Sequence, residues 1–172
     1  MSQQDLRKKQ FQTLFSIEMW ERFAFYTFNG LFILFALHTY FTQSSAYLTF
    51  GIFMALAYGL PTVGGYLADN LIGIQRALML GAGLLVTGYL LLALASSYHS
   101  ILFALSVIAV GNALFKPNPS AMVGLIYKGH LAESHSAFTM YYMSINIGSV
   151  IAVVFSPLIA KYTSFSVAFW IA

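Results

Sequence analysis

Long apolar runs alternate with short polar patches along this chain, and the runs have the length of bilayer spans rather than of soluble amphipathic helices. The first run covers about 11–40 and ends in a polar patch at 38–45 containing His38, Thr39, Thr42 and Gln43. A second covers about 46–68, a charged break follows at 69–76, and a third run occupies about 77–95. After the uncharged turn at 96–100, a fourth run extends over about 101–123; a longer polar connection at 127–135 leads into a fifth at about 138–160. Lys161 and Ser164 bound a last break. The run that begins at Phe165 stops after eight residues, where a span needs about 20. The pattern predicts an all-α membrane protein: residues 1–172 form one transmembrane bundle of five spans and the start of a sixth, with the sixth expected to be truncated.

Composition excludes the soluble alternatives. Hydrophobic residues make up 59% of the chain and charged residues 8%, with a mean hydropathy of +0.77, too little polar surface to face water all round. The net charge of +3 raises the question of a nucleic-acid partner, but the eight Lys and Arg are scattered singly, so none is expected. Cysteine is absent, which removes disulfides and thiolate metal sites, and the basic stretch before the first run lacks a signal-peptide pattern. The N-tail and the second and fourth connections carry Arg7, Lys8, Lys9, Arg76 and Lys128, whereas the other connections carry only Lys161. That asymmetry predicts a cytoplasmic N-terminus for a multi-pass protein of the cytoplasmic (inner) membrane.

Three ionisable residues break the first run: Glu18, Glu21 and Arg22. At helical spacing they share a face with Phe25, Tyr26 and Asn29, while Ile17, Met19, Trp20, Phe23, Ala24 and Phe28 are left for lipid or neighbouring helices. Each charge at a bilayer centre costs about 2.5–3.5 kcal/mol, so the cluster needs partners or water. Glu18 and Arg22 are at favourable i, i+4 spacing, and Glu21 then needs a proton or a second cation. Lys116, inside the fourth run, is the natural second cation, making two acids and two bases. Protonating one glutamate would free a positive charge to hold a substrate carboxylate, which couples a proton to an anionic group; the alternative is a static ion cluster that fixes packing.

Other polar residues leave both structural and functional readings open. Asn118 and Asn146 can offer amides to a substrate or bond across helices, and Tyr26 and Tyr58 can line a cavity or pack as core and interfacial anchors. Asp69, Gly73 and Arg76 are expected to cap or pin helix ends. Gly51, Gly59, Gly64 and Gly65 with Pro61, and Gly81 and Gly88, are expected at close helix contacts, and Pro117 predicts a kink in the fourth span. His130, Glu133 and His135 lack ligand spacing, so no metal is expected.

Four motifs in order carry a resemblance: Glu18, Glu21 and Arg22 followed by Phe25 and Tyr26; Gly64-Gly65-Tyr66-Leu67-Ala68-Asp69-Asn70-Leu71-Ile72-Gly73; Gly111-Asn112-Ala113-Leu114-Phe115-Lys116-Pro117-Asn118; and the segment from Phe138 through Asn146 to Gly148 and Ser149. In them the chain resembles the N-terminal half of the proton-coupled oligopeptide transporters of the major facilitator superfamily. The resemblance implies symport of di- and tripeptides with protons by alternating access between two six-helix bundles, with the proton as coupling ion and no cofactor. It implies that Glu18, Glu21, Arg22 and Lys116 serve proton coupling and the peptide carboxylate. It further implies that Tyr26, Asn29, Tyr58, Asn118 and Asn146 line the peptide site, Asn29 standing where many members have arginine and Phe25 where tyrosine is common. The partners expected are therefore di- and tripeptides, membrane lipid and a missing C-terminal bundle. Two other classes compete: a non-transporting membrane fragment that needs a partner bundle, and an intramembrane hydrolase, which lacks a nucleophile paired to a base.

Overall fold

The computed structural model describes residues 2–172. Among the described residues seven α-helices follow one another: α1 (Gln3–Leu37), α2 (Gln43–Leu67), α3 (Ile74–Ala93), α4 (Tyr98–Phe115), α5 (Asn118–Ile126), α6 (Leu131–Tyr162) and α7 (Phe165–Ile171). Helices α4 and α5 are the two arms of one rod broken at Lys116 and Pro117. By length and composition, Gln43–Ile72, Ile74–Ala93, Tyr98–Ile126 and Leu131–Tyr162 can each cross a membrane. The 35-residue α1 is not among these four because its apolar run is interrupted by the charged residues.

Instead, α1 is the bundle's axis. From Glu21 to Phe28 every residue except Tyr26 is buried, so the helix has no lipid face there. Of the residues expected to meet lipid or neighbouring helices, only Trp20 is exposed; Phe23, Ala24 and Phe28 pack inward. Helix α6 lies along α1, while α4 packs against both α2 and α3. Phe28 anchors an aromatic cluster between α1 and α2, with ring centroids 4.8 Å from Phe32 and 4.5 Å from Phe53. The short α7 joins through Phe169, whose ring lies 5.2 Å from that of Phe35. The outer helices are thinly covered: only 17% of the apolar window of Gln43–Ile72 is buried, and 22% of that of Leu131–Tyr162.

Element ends depart from the hydropathy pattern in three places. Helix α1 starts at Gln3 rather than near 11, capped by Ser2, whose hydroxyl accepts from the Asp5 N–H while Asp5 accepts from Ser2. The Ser2 side-chain and backbone hydrogen bonds hold the exposed Asp5 carboxyl below its usual range, so the carboxylate's share of this cap is fully present above that range and is lost as pH falls through the lowered value. Between α2 and α3 the charged break shrinks to Gly73: a π-helical turn over Ala68–Ile72 continues α2, and Gly73 adopts φ +89°, where a side chain would be strained. Finally, α6 begins at Leu131, so Glu133 and His135 are helical rather than part of a loop.

Pro61 and Pro117 explain how α2 and α4 meet. Pro61 has no N–H, which leaves the Ala57 carbonyl without its helical donor. The buried Asn112 side chain on α4 donates to that carbonyl, Nδ2 to O 2.8 Å. Pro117 likewise cannot serve the Ala113 carbonyl, which presses onto Gly64 of α2 so closely that a Cβ at Gly64 would collide with it. Asn118 bridges the same break by donating to Leu114, 2.5 Å. Gly81 and Gly88 of α3 also lie close to α4, whereas Gly51 and Gly59 are exposed with open space beside them, so the expected close contact fails at those two.

Two outcomes follow for detergent-solubilised protein. Asn112→Ala should lower stability by roughly 0.5–2 kcal/mol, and the loss should shrink in a Pro61→Ala background, where residue 61 regains an N–H for the Ala57 carbonyl; thermal unfolding of the four proteins measures the coupling. Gly148→Ala should cost about 1–3 kcal/mol through overpacking, because a Cβ there meets the Met19 carbonyl and lies 3.0 Å from the Arg22 Cβ. Gly83→Ala, facing open space, should be neutral or stabilising in the same assay.

Candidate functional site

The charged face of α1 turns into the bundle. Glu18, Glu21 and Arg22 are 4%, 9% and 7% exposed, values that only paired ions tolerate. Their closeness to α6 depends on Gly148, which has no side chain to hold α6 away from Met19 and Arg22.

Within the cluster the pairing differs from the spacing argument. Arg22 grips Glu21 with two teeth of its fork, Nε to Oε2 at 2.5 Å and Nη2 to Oε1 at 2.6 Å. Arg22 reaches Glu18, at the i, i+4 position, only at 3.5 Å through Oε1, and Oε2 of Glu18 is buried without a hydrogen-bond partner among the described residues. A planar guanidinium matched to a carboxylate by two parallel bonds outweighs a single end-on contact. Glu21 is therefore the satisfied acid and Glu18 the loosely held one. The buried phenols of Tyr141 and Tyr89 stand near Glu18 and Glu21 respectively.

Lys116 reaches this region from the α4–α5 break. Its ammonium forms no ion pair within 4.0 Å of either glutamate among the described residues, and Nζ is buried without an acceptor. Aromatic faces surround it instead: Nζ lies 3.8 Å from the Tyr58 ring centroid and 5.6 Å from that of Phe25. Phe25 also sits 4.9 Å from the Arg22 guanidinium carbon. Two cations thus share one ring, and the second acid–base pair expected from the charge count is not closed.

The remaining candidates separate into two groups. Tyr26 and Asn29 are half-buried on α1, with Tyr26 edge-on to Phe25 at 5.8 Å, and Tyr58 is 64% exposed beside Lys116. These border the charged cluster on an open face. Asn118 is buried and spends its amide donor across the Pro117 break, and Asn146 is exposed with Nδ2 donating to the Tyr142 carbonyl of its own helix, 3.0 Å. Asp69 and Arg76 are exposed and form no ion pair or side-chain hydrogen bond among the described residues; Gly73 alone makes that turn. No cluster of metal-ligating side chains occurs among the described residues.

Sequence reasoning placed three contributors in its motifs without giving them a structural role: the Phe25 ring, the Asn112 amide and the gap at Gly148. Each had a visible signal, an aromatic residue one turn from an arginine, an amide five residues before a proline, and a glycine inside an apolar helix. A cavity of about 860 Å³ also lies elsewhere, at the N-terminal end of α1, lined by Arg7, Phe11, Tyr127, Glu133 and Met140 among others. There Arg7 meets Glu133 at 3.6 Å and the His130 ring at 2.5 Å, tying the α1 extension to the start of α6.

Comparison with known proteins agrees with this arrangement. The POT family profile matches residues 75–172. Dipeptide and tripeptide permease B of Shigella dysenteriae is 43% identical over 161 residues, covering 92% of this chain and 33% of that protein. The permease B of Yersinia enterocolitica is 42% identical over 166 residues, covering 95% and 34%. A solved bacterial homologue of the human drug peptide transporters PepT1 and PepT2 superposes with a TM-score of 0.85 at 36% identity, covering 95% of this chain and 38% of its own. The chain thus spans about a third of the length of the curated relatives it matches. With a helical bundle, four apolar spans and a family match over more than half its residues, the chain is a multi-pass membrane protein and belongs to the POT family.

Proposed function

We propose that this chain supplies the N-terminal bundle of a symporter that moves di- and tripeptides with protons across the cytoplasmic membrane by alternating access, with its N-terminus in the cytoplasm. The observation that carries the reading is the unequal commitment of the two buried cations. Arg22 is bound by Glu21 at two points, while Lys116 rests on aromatic rings and has no carboxylate. A peptide carboxylate entering beside Tyr58 can take Lys116 without breaking an ion pair. The proton goes to Glu18, because protonating it gives up only a 3.5 Å contact, whereas protonating Glu21 breaks the bidentate pair. Tyr26, Asn29 and Tyr58 supply the near wall of the peptide site; Asn118 and Asn146 reach it by exchanging their present intrahelical bonds. No cofactor enters this scheme, and the work is transport rather than catalysis. The thinly covered faces of α2 and α6 are where a C-terminal bundle packs and where lipid covers the rest.

A fragment that only binds a partner bundle explains the open faces equally well. It does not explain a buried ammonium kept free of carboxylates.

The orientation is tested by cysteine labelling, which has no background because the chain contains no cysteine. Single cysteines at Ser2 and Gly129 should resist an impermeant thiol reagent in intact cells and react after permeabilisation; labelling of both from outside would invert the topology. Coupling is tested on the full-length protein in liposomes. Lys116→Ala should abolish uptake against a peptide gradient while leaving downhill exchange, with Lys116→Gln behaving alike and Lys116→Arg retaining charge in a planar fork that fits the site less well. Near-normal uphill uptake by Lys116→Ala would refute the charge-balance scheme.

A further inference from the structure

Two buried groups in this site lack the partners that burial ordinarily demands. The Lys116 ammonium has no acceptor, and Oε2 of Glu18 has no donor, among the described residues. A closed ammonium–carboxylate contact is stronger than a cation over an aromatic ring, so without restraint the two would meet. The side chain that both cations share is Phe25, which is 2% exposed on the charged face of α1. Its ring is met edge-on by Tyr58, centroid to centroid 6.4 Å, and Tyr58 in turn holds the ammonium at 3.8 Å.

We propose that Phe25 is a positioning residue whose ring face, together with Tyr58, keeps Lys116 out of the Glu18–Glu21–Arg22 ion cluster, so that its charge stays available to a peptide carboxylate. The inference rests on the transport reading above and adds the device that makes Lys116 the free cation. An aromatic ring suits the task because its negative face attracts a cation while its bulk fills the space through which the ammonium would approach the carboxylates. An aliphatic side chain of similar volume fills the space without the attraction. A carboxylate or side-chain amide at this position, having no ring face, would instead bind the ammonium through its oxygen.

The test uses the full-length protein and equilibrium binding of the dipeptide dialanine at fixed pH, which needs no proton gradient. Mono-, di- and trifluorinated phenylalanines at position 25 keep the ring's shape and progressively empty its face. The dissociation constant should rise at each step, by roughly two- to thirty-fold across the series. Phe25→Tyr should bind close to wild type, and Phe25→Leu should bind at least as weakly as the trifluorinated protein. In a Glu18→Gln background, where the capturing carboxylate is gone, the weakening caused by Phe25→Leu should fall by at least half on a logarithmic scale. A flat fluorination series, or a Phe25→Leu effect of the same size with and without Glu18, would overturn the spacer role while leaving peptide transport intact. Failure of the unmodified full-length protein to bind dialanine would instead overturn the transport reading itself. If Phe25→Leu does not fold, the fluorinated series decides alone.

Discussion

Ionised side chains cannot be left unpaired in hydrocarbon, and the placement of Glu18, Glu21 and Arg22 on one helix organises the rest of this bundle. Three such groups at about 2.5–3.5 kcal/mol each would expel α1 from the bilayer if they faced lipid. The helix is instead buried from Glu21 to Phe28 except at Tyr26, and the most apolar helices, α2 to α6, serve as its solvent. Close wrapping requires small residues where helices cross. Gly148 therefore stands at Met19 and Arg22, because any side chain there would force α6 off the ion cluster and admit lipid beside a charge.

The same accounting applies to the backbone. In a bilayer every carbonyl without a donor is a cost, and Pro61 and Pro117 each create one. The bundle answers the first across the α2–α4 contact with the Asn112 amide on the Ala57 carbonyl, and the second carbonyl, that of Ala113, is seated against Gly64 at the same contact. These contacts fix the height of the α4–α5 break relative to α2, and with it the height at which Lys116 leaves the rod to reach Tyr58. The prolines are thus tied to the site's geometry through the carbonyls they release.

Much of this was legible in the sequence, for definable reasons. Span existence follows from apolar length, and the burial of Glu18, Glu21 and Arg22 follows from the expense of leaving them exposed; both are local properties of the residues concerned. Helix ends were misplaced where caps rather than hydropathy decide them, as at Ser2, or where a single glycine turns the chain, as at Gly73. Pairing inside the cluster was misjudged because spacing along a helix measures Cβ proximity, whereas a long guanidinium side chain curls onto its sequence neighbour when two parallel hydrogen bonds are available. The partners of Lys116 were hidden because they lie on other helices: Tyr58 is 58 residues away in sequence, and no periodicity reports such a contact.

Comparison of the two basic residues shows why a lysine and an arginine are both present. A guanidinium is locked by its fork and cannot change partner without breaking two bonds at once, which suits a residue that holds the buried Glu21 at two points. An ammonium on a flexible stem is nearly isotropic, so it can rest on ring faces and move to a new carboxylate without a preferred approach. Exchanging the two types would leave a fork over the Tyr58 ring, where stacking would fix it in place, and a point charge beside Glu21, where one hydrogen bond would replace two. The cluster would remain neutral in formal charge, yet it would lose its division between a held cation and a free one. The arrangement depends on that division rather than on the net charge.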